Sequence, residues 1–302
     1  VPAADERRRL RRGLTLGVLA VGLFSLTLPA TRAAVAGFDP VLVALGRAQI
    51  AAMVAAVILL ATGTRRPTSS EWPGLAVVAA CVVLGFPLLM SWAMVHVPAA
   101  HGAVVLAALP IATAVAAVWR AGERPSPIFW VAALAGSALV ATWAIAGTAT
   151  PGSGHALADV ALAAAVVVGG LGYAEGGRLA RSLGGWQVIC WALVLPAPLL
   201  LLPTLLLARD AVLPAAPGPW VGFLYVALVS QLAGFFPWYR ALALGGIARV
   251  GQVQLLQPFL TLAASVLLLG ESITATTVAF AVAVVGTVAL STRTGVRRDP
   301  EA

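Results

Sequence analysis

The chain has 302 residues, of which 61% are hydrophobic and 10% charged, with a mean hydropathy of +0.98. A soluble domain carries about 25% charged and roughly half apolar residues, so an ordinary water-soluble enzyme is excluded and the bilayer is the solvent for most of this chain. The formal charge of +8 comes from nineteen arginines against eleven acids, with no lysine, a balance that fits either nucleic acid or arginine-rich loops at one membrane face.

About twenty apolar residues cross the hydrocarbon core as a helix, and ten stretches qualify: roughly 14–34, 41–61, 74–95, 99–119, 128–148, 157–179, 186–207, 220–243, 248–269 and 275–292. The run RRRLRR at 7–12, followed by Ala34-Val35-Ala36, has the features of a signal peptide. Nine further spans make it the first span of a bundle instead. Arginines concentrate in cytoplasmic loops, and with the N-terminus inside, sixteen of the nineteen fall at or near the cytoplasmic side. The exceptions are Arg32 and Arg209 toward the outside and Arg47 within span two. Topology thus accounts for the charge without nucleic acid, and both termini are expected in the cytoplasm. Cys81 and Cys190 lie in separate apolar runs, as packing residues rather than metal ligands or a disulfide framework.

The chain repeats itself. Span four and its exit read LPIATAVAAVWRAGERPS from Leu109, and span nine reads QPFLTLAASVLLLGESIT from Gln257. Pro110 maps on Pro258 and Glu123 on Glu271, both by 148 residues, while span one meets span six with a shift of 146, Thr27 against Tyr173. Five spans per half is an odd number, so the second half enters from the opposite face. Inverted repeats are a mark of secondary transporters, in which exchanging the roles of the halves gives alternating access to a site near the midplane. The expected organisation is a cytoplasmic tail at 1–13, a first five-helix repeat at 14–148, an extracellular linker at 149–156, a second, inverted repeat at 157–292 and a cytoplasmic tail at 293–302. The fold class is all-α integral membrane.

The Pro-x12-Glu spacing ending in AGER and again in LGES, on the fourth and ninth of ten spans, resembles the EamA-type members of the drug/metabolite transporter superfamily. The resemblance covers roughly 14–292 and includes Arg47, where the family often carries an arginine. Span one departs from it, with Phe24-Ser25 in place of a frequent tryptophan. The nearest relatives it suggests are the YddG-type aromatic amino-acid exporters, although Leu106-Ala107-Ala108-Leu109 replaces the large polar and aromatic residues expected before the span-four proline. The resemblance implies a central cavity lined by spans one, three, four, six, eight and nine.

Polar residues at membrane depth are costly and mark function by default. In span nine, Gln254 and Gln257 share one helical face beside Pro258; they suit hydrogen bonds to an amino-acid backbone, or packing bonds between helices. Pro110 and Pro258 lack a backbone donor and are expected as hinges or cavity-lining positions, against a merely tolerated kink. Pro87 and Pro237 occupy corresponding places in spans three and eight. Trp92, His96 and, past a short loop, His101 suit substrate stacking and proton coupling, or interfacial anchoring. Tyr173, Trp238 and Tyr239 offer further aromatic surface. Glu175 is an acid deep inside span six, a proton site or the partner of Arg178 three residues on. Glu123 and Glu271 suit capping of spans five and ten, and Arg47 is expected to fix packing, with substrate contact as the alternative. Gly172-x-x-x-Gly176 permits close helix approach or a dimer face.

No HExxH, GxSxG, P-loop or cysteine/histidine metal spacing occurs. The expectation is therefore no enzyme, no cofactor and no metal. It is a secondary transporter of the inner membrane that exports aromatic or neutral amino acids and related metabolites, with broad drug/metabolite efflux as the alternative and a membrane-embedded enzyme as a remote one. The expected partners are a small-molecule substrate and the lipid bilayer, and the chain is expected as a monomer, a homodimer being the lesser option. A single arginine at midplane depth disfavours phosphorylated substrates.

Overall fold

A computed structural model describes residues 2–97, 99–146, 156–209, 211, 216–261, 263 and 275–298. In chain order the helices are α1 (Pro2–Ser25), α2 (Thr27–Val35), α3 (Pro40–Thr62), α4 (Trp72–Val78), α5 (Phe86–His96), α6 (Ala99–Leu106), α7 (Leu109–Ala121) and α8 (Pro127–Ala146). They continue as α9 (Ala156–Leu179), α10 (Gly185–Val194), α11 (Ala197–Arg209), α12 (Pro217–Leu224), α13 (Phe235–Gly245), α14 (Ile247–Gly251) and α15 (Ala275–Arg293).

Local chemistry sets several ends. The Asp39 carboxylate accepts from the N–H groups of Val41 and Leu42 at 2.8 and 3.0 Å, with Pro40 preset for the first turn. Gly63 at φ +57° and Gly122 at φ +59° close α3 and α7 in the left-handed conformation that a side chain disfavours.

Among the described residues, six helical stretches are long and apolar enough to cross a membrane: Asp5–Val35, Pro40–Thr62, Trp72–His96, Ala156–Leu179, Pro217–Gly245 and Ala275–Arg293. Gly185–Val194 and Ala197–Arg209 form a pair bent by 57°. The sequence predicts ten spans; two of those outside the six are broken helices, and the ninth runs past the described residues. Pro196 follows Leu195 at the α10–α11 bend, and Ala107-Ala108 separates α6 from α7, where Pro110 stands in the first turn of the second piece. Pro110 therefore opens a helix rather than interrupting one.

Spans three and eight stay continuous by widening. A π-helical segment at Ala79–Gly85 runs into α5 just before Pro87, and another at Tyr225–Ala233 precedes α13 and Pro237. A proline cannot donate to the carbonyl four residues back and its ring crowds it, and a wider turn relieves both. Beyond α14 the chain tightens into a 3-10 segment, Gln252–Leu256, ahead of Pro258.

One short ribbon accompanies the helices. Glu123–Pro125 (β1) and Val296–Arg298 (β2) pair antiparallel, Arg124 opposite Arg297. This ribbon ties the C-terminal tail to the α7–α8 loop.

Small residues bring helices together. A Cβ on Gly170 of α9 would lie 2.7 Å from the Ala112 carbonyl carbon of α7, so glycine is what permits this approach. Gly172 and Gly176 pack against Val82 and Tyr239, so that stripe is spent inside the bundle rather than offered to a second copy. Large apolar side chains such as Leu60 (82% exposed) and Leu199 (80%) point outward, where lipid rather than water receives them.

Candidate functional site

A cavity of about 340 Å³ lies within the bundle. Phe24, Phe86, Trp143, Tyr173 and Phe235 give it an aromatic wall, with ring centroids 5.1 Å apart for Phe24–Phe235 and 5.9 Å for Tyr173–Phe235. Its polar groups are few: Thr27, Arg47, Ser230, Gln231, Gln254, Gln257 and Thr261. Most are spoken for. Ser230 Oγ shares a hydrogen bond with Thr27 Oγ1 at 2.9 Å, Gln231 Nε2 donates to the Val82 carbonyl at 3.2 Å, and Gln257 Nε2 donates to the Phe24 carbonyl at 3.1 Å. Thr261 Oγ1 donates to the Ser25 carbonyl. Gln254 Oε1 and the Nε and Nη1 atoms of Arg47 are buried without a partner among the described residues.

The wall residues pair across the sequence. Leu106 and Gln254, Ala107 and Leu255, Leu109 and Gln257, Pro110 and Pro258, and Val82 and Ser230 all line the cavity, each pair 148 positions apart. Thr27 and Tyr173, 146 apart, line it too. The two π segments overlap under the same shift.

Carboxylates close one end of the bundle. Glu175, fully buried on α9, accepts from Arg178 at 2.7 Å and from Arg120 of α7 at 3.0 Å. Glu123 accepts from Arg181 at 3.0 Å and from the N–H groups of Ile247 and Ala248 at 3.0 and 2.8 Å. Glu71 accepts from Arg65 at 2.8 Å, from the Thr68 N–H at 2.8 Å and from Ser182 Oγ at 3.0 Å. The Arg65 guanidinium is the main reason the Glu71 carboxyl is held down at a pKa of about 2. Each carboxylate joins a residue before 125 to one after 174. At the opposite end, Arg32 donates to the Val97 carbonyl at 2.7 Å and His101 Nε2 meets Asp159 at 2.5 Å.

Residues 11–146 and again 156–293 match the EamA-like transporter family. The chain belongs to that family. An EamA protein is a secondary transporter of small molecules, not an enzyme, and the apolar stretches place this one as a multi-pass protein of the plasma membrane. It is 46% identical over 92% of its length to an "Uncharacterized transporter YdeK" of Bacillus subtilis (strain 168), covering 96% of that protein. It is 30% identical to a "Probable terminal-alkyne amino-acid exporter" of Streptantibioticus cattleyicolor, over 87% of each chain. A chain of known crystal structure shares the fold, with a TM-score of 0.75 at 21% identity over 93% of this chain and 98% of that one.

The EamA chain brings only some of the predicted site residues to its cavity. Tyr173, Gln254, Gln257, Pro110 and Pro258 line it. Trp238 and Tyr239 lie fully buried behind the wall: Trp238 meets Tyr173 edge-on at 5.4 Å, and the Tyr239 hydroxyl donates to the Gly172 carbonyl at 3.4 Å. Trp92 and His96 are off the cavity, because the helical turn that points Phe86 and Met90 inward carries them to another face. There they stack on each other at 4.4 Å, and His96 Nδ1 is 3.0 Å from the Trp92 carbonyl. His101 sits at the far end with Asp159, and Glu175 is held by its two arginines. Glu123 meets the start of α14 rather than that of span five, a correction that arises because the chain folds back across the bundle end. Glu271 lies outside the described residues. Arg47, expected as a packing residue, is on the wall. Sequence reasoning passed over Thr27, Ser230, Gln231 and Thr261 as wall residues; a polar Ser230-Gln231 pair inside an apolar run was the available signal.

Proposed function

We propose that this EamA transporter exports amphipathic metabolites and drugs of varied structure from its central cavity, by alternating access between two inverted five-span halves of a ten-span bundle. The observation that carries the reading is the paired wall: residues related by one sequence shift line the same cavity. A site built from both halves changes its open side when they exchange conformations. The aromatic and aliphatic wall favours breadth, since apolar contact discriminates weakly between shapes. The charged clusters at one end suit a closed cytoplasmic gate.

A second reading, amino-acid export, draws on the printed name of the Streptantibioticus relative and on Gln254 Oε1, which is unpartnered and suits a substrate ammonium. Restriction to aromatic amino acids finds no support in the names of the two relatives.

Counterflow into proteoliposomes with a panel of unrelated amphiphiles and amino acids tests both. Several chemically distinct compounds are expected to exchange, and Leu106→Trp, which fills the cavity, is expected to reduce uptake of all of them. Exchange confined to one amino acid, or full activity in Leu106→Trp, would overturn the reading.

A further inference from the structure

Arg47 lies two turns into α3, about 10 Å from its start by helix rise, and only 2% of it is exposed. Among the described residues its hydrogen bond runs from Nη2 to Ser230 Oγ at 3.3 Å. Nε and Nη1, which carry three of the five guanidinium N–H donors, have no partner among the described residues. The acids of the bundle do not answer it: no carboxylate is among the described residues of the cavity wall, and Glu175 is already saturated by Arg120 and Arg178. A guanidinium stays protonated in a protein, and a desolvated charge without a counter-ion is strongly unfavourable.

The pseudo-symmetry of the wall gives no structural reason for this charge. The position 148 residues beyond Arg47 is Leu195, an aliphatic residue at the α10–α11 bend. The scaffold is therefore built at the matching place without a cation. Gln254, whose Oε1 is also buried without a partner among the described residues, lines the same cavity, so unanswered donor and acceptor atoms share one wall.

We propose that Arg47 is the anion receptor of this cavity. The transported amphiphiles then carry one carboxylate, seated on the Nε and Nη1 groups, with an apolar body against Phe24, Tyr173 and Phe235. Charge decides the class: a wall whose described residues hold one cation and no acid attracts a monoanion or a carboxylate-bearing zwitterion and repels an organic cation, while a phosphate dianion calls for more than one cationic partner. This inference rests on the cavity being the transport site.

The test is binding to the full chain in lipid nanodiscs, read by tryptophan fluorescence, with three probes of matched size: 3-phenylpropanoate, 3-phenylpropanamide and 3-phenylpropylamine. The wild type is expected to bind the carboxylate about ten-fold or more tighter than the other two. Arg47→Gln is expected to erase that preference, and to melt no lower than the wild type without ligand, because it removes a desolvated charge. Arg47→Lys, which keeps the charge, is expected to retain part of the preference. Equal binding of amide and carboxylate by the wild type would overturn the proposal while leaving the cavity as the transport site, and so would a preference that survives in Arg47→Gln. Leu106→Trp separates the two levels: if it binds all three probes as the wild type does, the cavity itself is not the site.

Discussion

Glu123 shows what a single buried carboxylate does at the end of such a bundle. It is 1% exposed, yet it is charge-paired with Arg181 and takes two backbone N–H groups at the start of α14. Removing it takes away the carboxylate that meets Arg181 and the acceptor of two buried backbone donors. Glu123→Ala should therefore cost about 3 kcal/mol, seen as a lower melting temperature of the purified protein in detergent, with Glu123→Gln costing less because its amide oxygen still accepts. A melting temperature unchanged in Glu123→Ala would mean that these bonds are replaced by water. The AGER and LGES repeat pointed to Glu123 as structural, but not to its partners, since Ile247 is 124 residues away and such a contact leaves no local pattern. Arg47 was legible as an oddity, a charge inside an apolar span. That no carboxylate among the described residues answers it was not, because that depends on which side chains the other helices turn toward it.

Helix breaks and joints carry the same lesson. Hydropathy finds apolar stretches because a run of apolar residues reports burial or lipid contact directly. It could not distinguish an α turn from a π turn, or a continuous span from α6 and α7 in series, since both place apolar side chains at the same depth. The prolines at 87 and 237 were the visible trace of the widened segments. At the joint between α7 and α9, the Arg120–Glu175–Arg178 cluster locks two helices that Gly170 lets approach closely. Glu175→Gln keeps the shape but leaves two cations facing one amide. The last turn of α7 should then open more often, with amide exchange at residues 117–121 faster by about ten-fold, while the melting of the whole bundle shifts less. Exchange that stays as slow as in the wild type would show that glycine-mediated packing alone holds this end closed.

For the whole molecule, the decisive property is whether the two family-matched halves run in opposite senses through the bilayer. The 148-residue shift makes that a question about two positions. Ser70 precedes α4 and Gly218 opens the region of α12; they are 148 apart, both are exposed, and a Cβ on Gly218 meets no neighbouring atom. In an inverted repeat they face opposite compartments, with Ser70 beside Arg65 and Arg66 on the arginine-rich side that the positive-inside rule assigns to the cytoplasm. The native background is quiet, since Cys81 and Cys190 are 7% and 0% exposed. A membrane-impermeant maleimide should label Gly218→Cys in intact cells and Ser70→Cys only after the membrane is opened. Labelling of both from the same side would make the halves parallel, and exchange of their conformations would then no longer move the cavity opening from one face to the other. The opposite pattern, Ser70→Cys outside and Gly218→Cys inside, would keep the inversion but put the carboxylate–arginine clusters at the outer mouth.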